Sequence, residues 1–145
     1  KKEGLSVMFD DRKKIYDTCE TNKTSKKIIK EFLPGPVTLI LKSKEKFAEG
    51  VMRNGNIAVR IPTNETALNL AKEMPVVTTS ANLHGGNIAE SIKEAKEIFG
   101  PSCFYLDGEK PNGIESTIID LTGNKPEIMR IGALYSTILE GMFEF

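Results

Sequence analysis

Pro34-Gly35-Pro36-Val37-Thr38-Leu39-Ile40-Leu41 is where the chain changes character. Proline has no N–H to give a helix, and glycine weakens one, so Pro34-Gly35-Pro36 ends whatever helix precedes it. The run that follows is mostly apolar and partly β-branched, which reads as a buried strand over 37–41. Upstream, residues 25–32 read as a short helix N-capped by Thr24 or Ser25, and 10–19 as another. Residues 5–9 read as a strand. Downstream, Ile57-Ala58-Val59-Arg60-Ile61 is a strand closed by Pro62. Residues 65–74 suit a helix with Ala67, Leu68, Leu70 and Ala71 on one side. A strand over 75–78 runs into the polar segment Thr79-Ser80-Ala81-Asn82. Residues 91–99 form a helix with Ile92, Ala95, Ile98 and Phe99 inward. Strands are expected over 103–106, 116–121 and 127–131, and a last helix over about 136–143. Strands and helices alternate early and strands cluster late, which predicts an α/β fold with a mixed sheet.

The chain has 145 residues, enough for one core but not comfortably two. No repeat or linker divides it, so a single domain over 1–145 is expected. Lys plus Arg and Asp plus Glu are each 20, and the zero net charge argues against holding nucleic acid by bulk charge. The balance conceals a split. Residues 1–46 carry 12 basic and 7 acidic side chains, and residues 47–145 carry 8 and 13. The basic front is either a solvated helix surface or a lure for an anion, if its residues share a face with a site. No apolar run is long enough to span a bilayer. Two cysteines, Cys19 and Cys103, lack metal spacing and disulfide density, which makes a reducing cytoplasm the default. One histidine, His84, rules out a His-rich metal site. The chain has no initiator Met and enters an apolar run almost at once, which reads as a truncated front.

No nucleophile elbow, P-loop or Rossmann glycine fingerprint is present. Polar residues at strand ends remain. Thr78, Thr79, Ser80 and Asn82 follow a strand and precede Gly85-Gly86. They make either a plain loop or a set of short-range donors for phosphate oxygens. Arg60 lies inside its strand and alternates away from Val59 and Ile61. A buried guanidinium is costly unless paired, so a protein carboxylate or a ligand anion must answer it. Arg130 repeats the pattern between Met129 and Ile131. Ser116-Thr117 opens the strand before Ile118-Ile119, where a hydroxyl enters the same cleft or bonds its own loop.

Five stretches in order resemble the YrdC-like family, the threonylcarbamoyl-AMP synthases. They are Leu-Pro-Gly-Pro-Val-Thr-Leu-Ile-Leu (33–41), Ile-Ala-Val-Arg-Ile-Pro (57–62), Pro-Val-Val-Thr-Thr-Ser-Ala-Asn-Leu (75–83), Ser-Thr-Ile-Ile-Asp-Leu-Thr (116–122) and Ile-Met-Arg-Ile-Gly-Ala (128–133). The resemblance implies a YrdC-like twisted open mixed sheet with flanking helices and a deep basic cleft. It implies formation of threonylcarbamoyl-AMP and pyrophosphate from L-threonine, bicarbonate and ATP with Mg²⁺, for the t6A modification at tRNA position 37 by a downstream tRNA-modifying complex. Carried over by position, Ser80, Asn82, Arg130 and Asn56 bind ATP, while Arg60, Thr78 and Ser116 bind threonine. No residue is assigned as a general acid or base, and none as a metal ligand. The family's Lys-x-Arg motif would fall upstream of Lys1, and its Thr-Asp-Thr-Val-Tyr-like segment is absent, so the chain alone is expected to be inactive. Asn64, His84 and Ile88 stand where the family often has His, Ser and Ser. Two other readings are a YrdC-like domain of a hydrogenase-maturation carbamoyltransferase, and a non-enzymatic module binding RNA weakly through Arg12, Lys13, Lys14, Lys23, Lys26, Lys27 and Lys30.

Overall fold

The computed structural model describes residues 4–83, 85–109, 114–134 and 141. In chain order the elements are β1 (Ser6–Met8), α1 (Arg12–Thr18), α2 (Lys23–Phe32), β2 (Val37–Lys42), β3 (Asn56–Arg60), α3 (Glu65–Leu70), β4 (Val76–Thr78), α4 (Ile92–Phe99), a 3₁₀ turn (Gly100–Ser102), β5 (Thr117–Asp120) and β6 (Glu127–Arg130). The strands form one sheet in the order β4-β1-β3-β2-β5-β6. The β1–β3 and β2–β5 pairs are parallel, and the other three are antiparallel. This is the open mixed sheet with flanking helices that the sequence led us to expect.

Period-two alternation gives the sheet two unlike faces. Val7, Val37, Leu39, Leu41, Ile57, Val59 and Ile119 are all at most 1% exposed. They join Ile15, Cys19, Ile28 and Ile29 of the α1 and α2 region in one core, so these helices cover that face. Burying each large apolar side chain there is worth about 1.5–3 kcal/mol. Burial also pushes the Cys19 thiol up to about 12. The other face carries Ser6, Ala58, Arg60, Ile40 and Ile118, all half-buried.

Helix α2 starts earlier than its sequence suggests. Asn22, not Thr24 or Ser25, is the N-cap. Its side chain accepts from the Ser25 N–H at 2.8 Å, and Ser25 Oγ accepts from the Asn22 N–H at 2.8 Å. This reciprocal pair satisfies two helix-end donors, so the hydroxyl read as a cap is the cap's partner three residues on.

The expected strand over 103–106 is absent. Phe104 is fully exposed and Leu106 is 60% exposed, while Tyr105 turns inward and donates to the Gly100 carbonyl. Strand propensity is realised only where a run pairs, and 103–106 pairs with no strand of the sheet although β4 and β6 are its open ends. Helix α3 stops at Leu70 rather than at 74, where the Ala71 N–H closes the last turn onto Ala67 and Leu68. Of the four residues expected on one side, the C-cap Ala71 is buried, Ala67 and Leu68 are half-buried, and Leu70 is 52% exposed. In α4 the expected inward residues are partly buried. The expected last helix lies outside the described residues except for residue 141, as does His84.

Candidate functional site

The face of the sheet turned away from α1 and α2 collects a row of polar side chains. It starts at β4, where Thr78 is paired in register with Ser6 of β1 and their hydroxyls lie 2.9 Å apart. Arg60 ends β3 beside Met8 of β1. The β2–β3 register pairs Leu39 with Val59, and one step further it sets Thr38 beside Arg60. Thr38 Oγ1 lies 2.8 Å from Ser116 Oγ, at the entry to β5. Ser116 in turn holds Arg130 of β6.

The two arginines are held differently. Arg60 has no carboxylate or acceptor within ion-pair or hydrogen-bond distance among the described residues. Burial lowers its guanidinium from the ordinary value. Of the two answers open to a strand arginine, the described residues supply no protein carboxylate here. Arg130 Nε and Nη2 donate to the Ser116 carbonyl at 3.1 and 2.9 Å, and Nη2 reaches Ser116 Oγ at 3.4 Å. Its Nη1 meets Glu115 Oε1 at 3.0 Å.

Arg130 reaches this face through an irregularity the sequence does not announce. Ile119 pairs with Ile128, but Ile118 pairs with Arg130, so Met129 is the extra residue of a bulge. Without it, strict alternation would return Arg130 to the side of Ile128, which packs on the core. Its apolar neighbours are therefore not a buried frame: Met129 is 55% and Ile131 63% exposed. Beyond the bulge the chain closes tightly on β5. Thr117, fully buried, accepts from the Gly132 and Leu134 N–H groups at 3.0 and 3.1 Å and donates to the Leu134 carbonyl at 2.7 Å. A Cβ on Gly132 would collide with the Glu115 and Ser116 backbone, so only glycine permits this approach.

Arg60, Thr78, Ser116 and Arg130 thus share one face. Ser80 and Asn82 follow two and four residues after Thr78 and bond each other, Ser80 Oγ donating to Asn82 Oδ1 at 2.7 Å. Asn82 Nδ2 donates to the Gly86 carbonyl at 2.8 Å, which folds the loop on itself. Asn56 is not brought to Arg130. It opens β3 beside Lys42, four residues and about 13 Å along the strand from Arg60. The sequence reading missed Ser6, Thr38 and Glu115; of the Ser116-Thr117 pair it singled out, Ser116 faces the row and Thr117 bonds the backbone after β6. Thr38 was findable, because it alternates away from Val37 and Leu39 on a strand next to that of Arg60. Glu115 was not, since its role depends on the bulge.

The basic front half lies elsewhere. α1 and α2 cover the opposite face, with Lys23, Lys26, Lys27 and Lys30 outward. Lys13 pairs with Asp17 and Lys14 with Asp10, both at 2.8 Å, while Arg12 Nε donates to the Leu33 carbonyl at 2.6 Å. A wide hollow of about 680 Å³ on that side, lined by Tyr16, Glu20, Thr21, Lys26 and Lys44, touches none of the candidate residues. Among the described residues no three His, Cys, Asp or Glu side chains gather as a metal site, and no helix is long and apolar enough to cross a membrane.

Known proteins share this fold. A family model described as telomere recombination, that of Sua5, YciO and YrdC, matches residues 1–132. The threonylcarbamoyl-AMP synthase of Pyrococcus abyssi is 36% identical over 79% of this chain and 35% of its own length. A putative threonylcarbamoyl-AMP synthase of Methanocaldococcus jannaschii is 33% identical over 90% of this chain and 63% of its own. The chain therefore spans about one third to two thirds of these relatives. The crystal structure of P. abyssi Sua5 complexed with L-threonine superposes with a TM-score of 0.87 at 30% identity, over 99% of this chain and 44% of that one. Sequence match and strand layout agree, and the chain belongs to the Sua5–YciO–YrdC family.

Proposed function

We propose that this chain is the threonine- and ATP-binding part of a threonylcarbamoyl-AMP synthase, acting on L-threonine, bicarbonate and ATP. The observation that carries the reading is the pair of arginines on one sheet face, one of them with no carboxylate near it among the described residues. In this reading Arg60 takes the threonine carboxylate, with Thr78 and Ser116 around it. Arg130 takes ATP phosphate, with Ser80 and Asn82 contributing from the loop after β4. Asn56 would reach the nucleotide only by its extension along the same face. These positions would line the deep basic cleft expected for the fold.

The chemistry suits such a site. Threonine nitrogen adds to bicarbonate with loss of water, giving a carbamate. A carbamate oxygen then attacks the α-phosphorus of ATP, and the bond to pyrophosphate breaks. Negative charge gathers on oxygens already charged, so positioning and cationic hydrogen bonds are the principal demands on the protein. Magnesium belongs to this reading as part of the ATP substrate. The described residues gather no ligand set for it, Glu115 being held to Arg130. The product would pass to the complex that modifies tRNA at position 37. Two free cysteines, one of them exposed, fit a cytoplasmic setting.

The alternatives are less well supported. The relatives above carry the synthase name rather than that of a carbamoyltransferase. An RNA-binding module would use the basic helices, which lie across the sheet from the arginines and are partly neutralised by Asp10 and Asp17. The deciding assay is pyrophosphate release from ATP by the gene's complete product. Release that requires both threonine and bicarbonate is expected. ATP left intact in their presence refutes the assignment.

A further inference from the structure

Arg130 has more than one donor edge. Nε and Nη2 are engaged by the Ser116 carbonyl, which fixes the direction of the side chain. Nη1 is covered by Glu115 Oε1 at 3.0 Å. Both side chains are partly in water, 37% and 49% exposed, so this is an ion pair of the weak, exchangeable kind. Arg60, on the same face, meets no such carboxylate among the described residues.

We infer that Glu115 is a specificity-determining residue of the anion site, an internal anion that fills the outer edge of Arg130 until a polyphosphate displaces it. The exchange is selective because of charge. A small monocarboxylate arriving at Arg130 would replace one carboxylate by another and gain little. A polyphosphate brings several charges and oxygens that match the guanidinium fork, so it displaces Glu115 at a profit in free energy. The monocarboxylate is left to Arg60, where no internal competitor stands among the described residues. This inference rests on reading the face as the site for ATP and threonine, and it supplies the reason that two arginines on one face would sort two anions.

The test is calorimetric titration of ATP, inorganic tripolyphosphate and acetate into the wild-type chain, Glu115→Gln, Arg130→Ala and the double variant. Gln keeps the shape of Glu at a half-exposed position, and a thermal melt checks that the fold is retained. Glu115→Gln is expected to bind tripolyphosphate and ATP about two- to fivefold more tightly than wild type. Acetate should compete with tripolyphosphate in the variant at concentrations that leave the wild type untouched. The gain should vanish when Arg130 is Ala, since Glu115 acts through that side chain. A residue needed only to support the local structure would give a loss instead. Unchanged or weaker tripolyphosphate binding in Glu115→Gln, a gain that survives Arg130→Ala, or no tripolyphosphate binding to any of the proteins overturns the inference. Tripolyphosphate behaving as expected while ATP binds neither protein would keep the role of Glu115 and remove the nucleotide reading. ATP binding that needs Arg130 but is not improved by Glu115→Gln would do the reverse.

Discussion

Arg60 is held in place by the sheet and by little else. Its strand neighbours Val59 and Ile61 are fully buried, its guanidinium is half-buried, and no described carboxylate approaches it. Such a charge costs the fold free energy that only a ligand returns. Replacing it by Leu is therefore expected to stabilise the unliganded chain by about 1 kcal/mol, a rise of a few degrees in melting temperature, while threonine binding is lost. A variant that melts lower than wild type would show that Arg60 has a stabilising partner after all. Strand alternation made the direction of this side chain legible from the sequence, because the apolar run around it is regular. The same logic misjudged the surroundings of Arg130. One extra residue in β6 resets the alternation, and a bulge leaves no mark in a stretch as short as Ile128-Met129-Arg130.

At the scale of elements, the join between β5 and β6 builds half of the site. Gly132 lets the end of β6 press against Glu115 and Ser116, and Thr117 ties the two together. A methyl group at Gly132 would force that backbone apart. Gly132→Ala is expected to destabilise the chain by about 1–3 kcal/mol and to weaken ATP much more than threonine, because Arg130 loses its Ser116 carbonyl. A thermal melt and two titrations check this, and intact ATP affinity would contradict it. The elements themselves were mostly legible, since apolar runs bounded by Pro and Gly mark strands, and Ile28 and Ile29 mark the buried side of α2. What the sequence concealed was partnership. The 103–106 run has strand composition but joins neither open edge of the sheet, and the Asn22 cap is recognisable only once its bond with Ser25 is seen.

Among the described residues, the basic surface of α1 and α2 and the candidate site lie on opposite sides of one sheet. The basic residues of α1 and α2 account for much of the front-half excess, and they decorate the face away from Arg60 and Arg130. The candidate site gathers a few placed cations rather than a broad basic surface, which suits a small anionic ligand better than a long polyanion. The motif order along the chain showed the family, and the sheet order explains why those motifs belong together. Thr78, Arg60, Ser116 and Arg130 are spread over 71 positions of sequence (60 to 130), yet all lie on one face.

The most direct test of this account is a pair of titrations, ATP and L-threonine, into wild type, Arg60→Ala and Arg130→Ala. The account expects Arg60→Ala to weaken threonine at least tenfold more than ATP, and Arg130→Ala to weaken ATP at least tenfold more than threonine, differences of about 1.4 kcal/mol each. Equal losses of both ligands in both variants would contradict it.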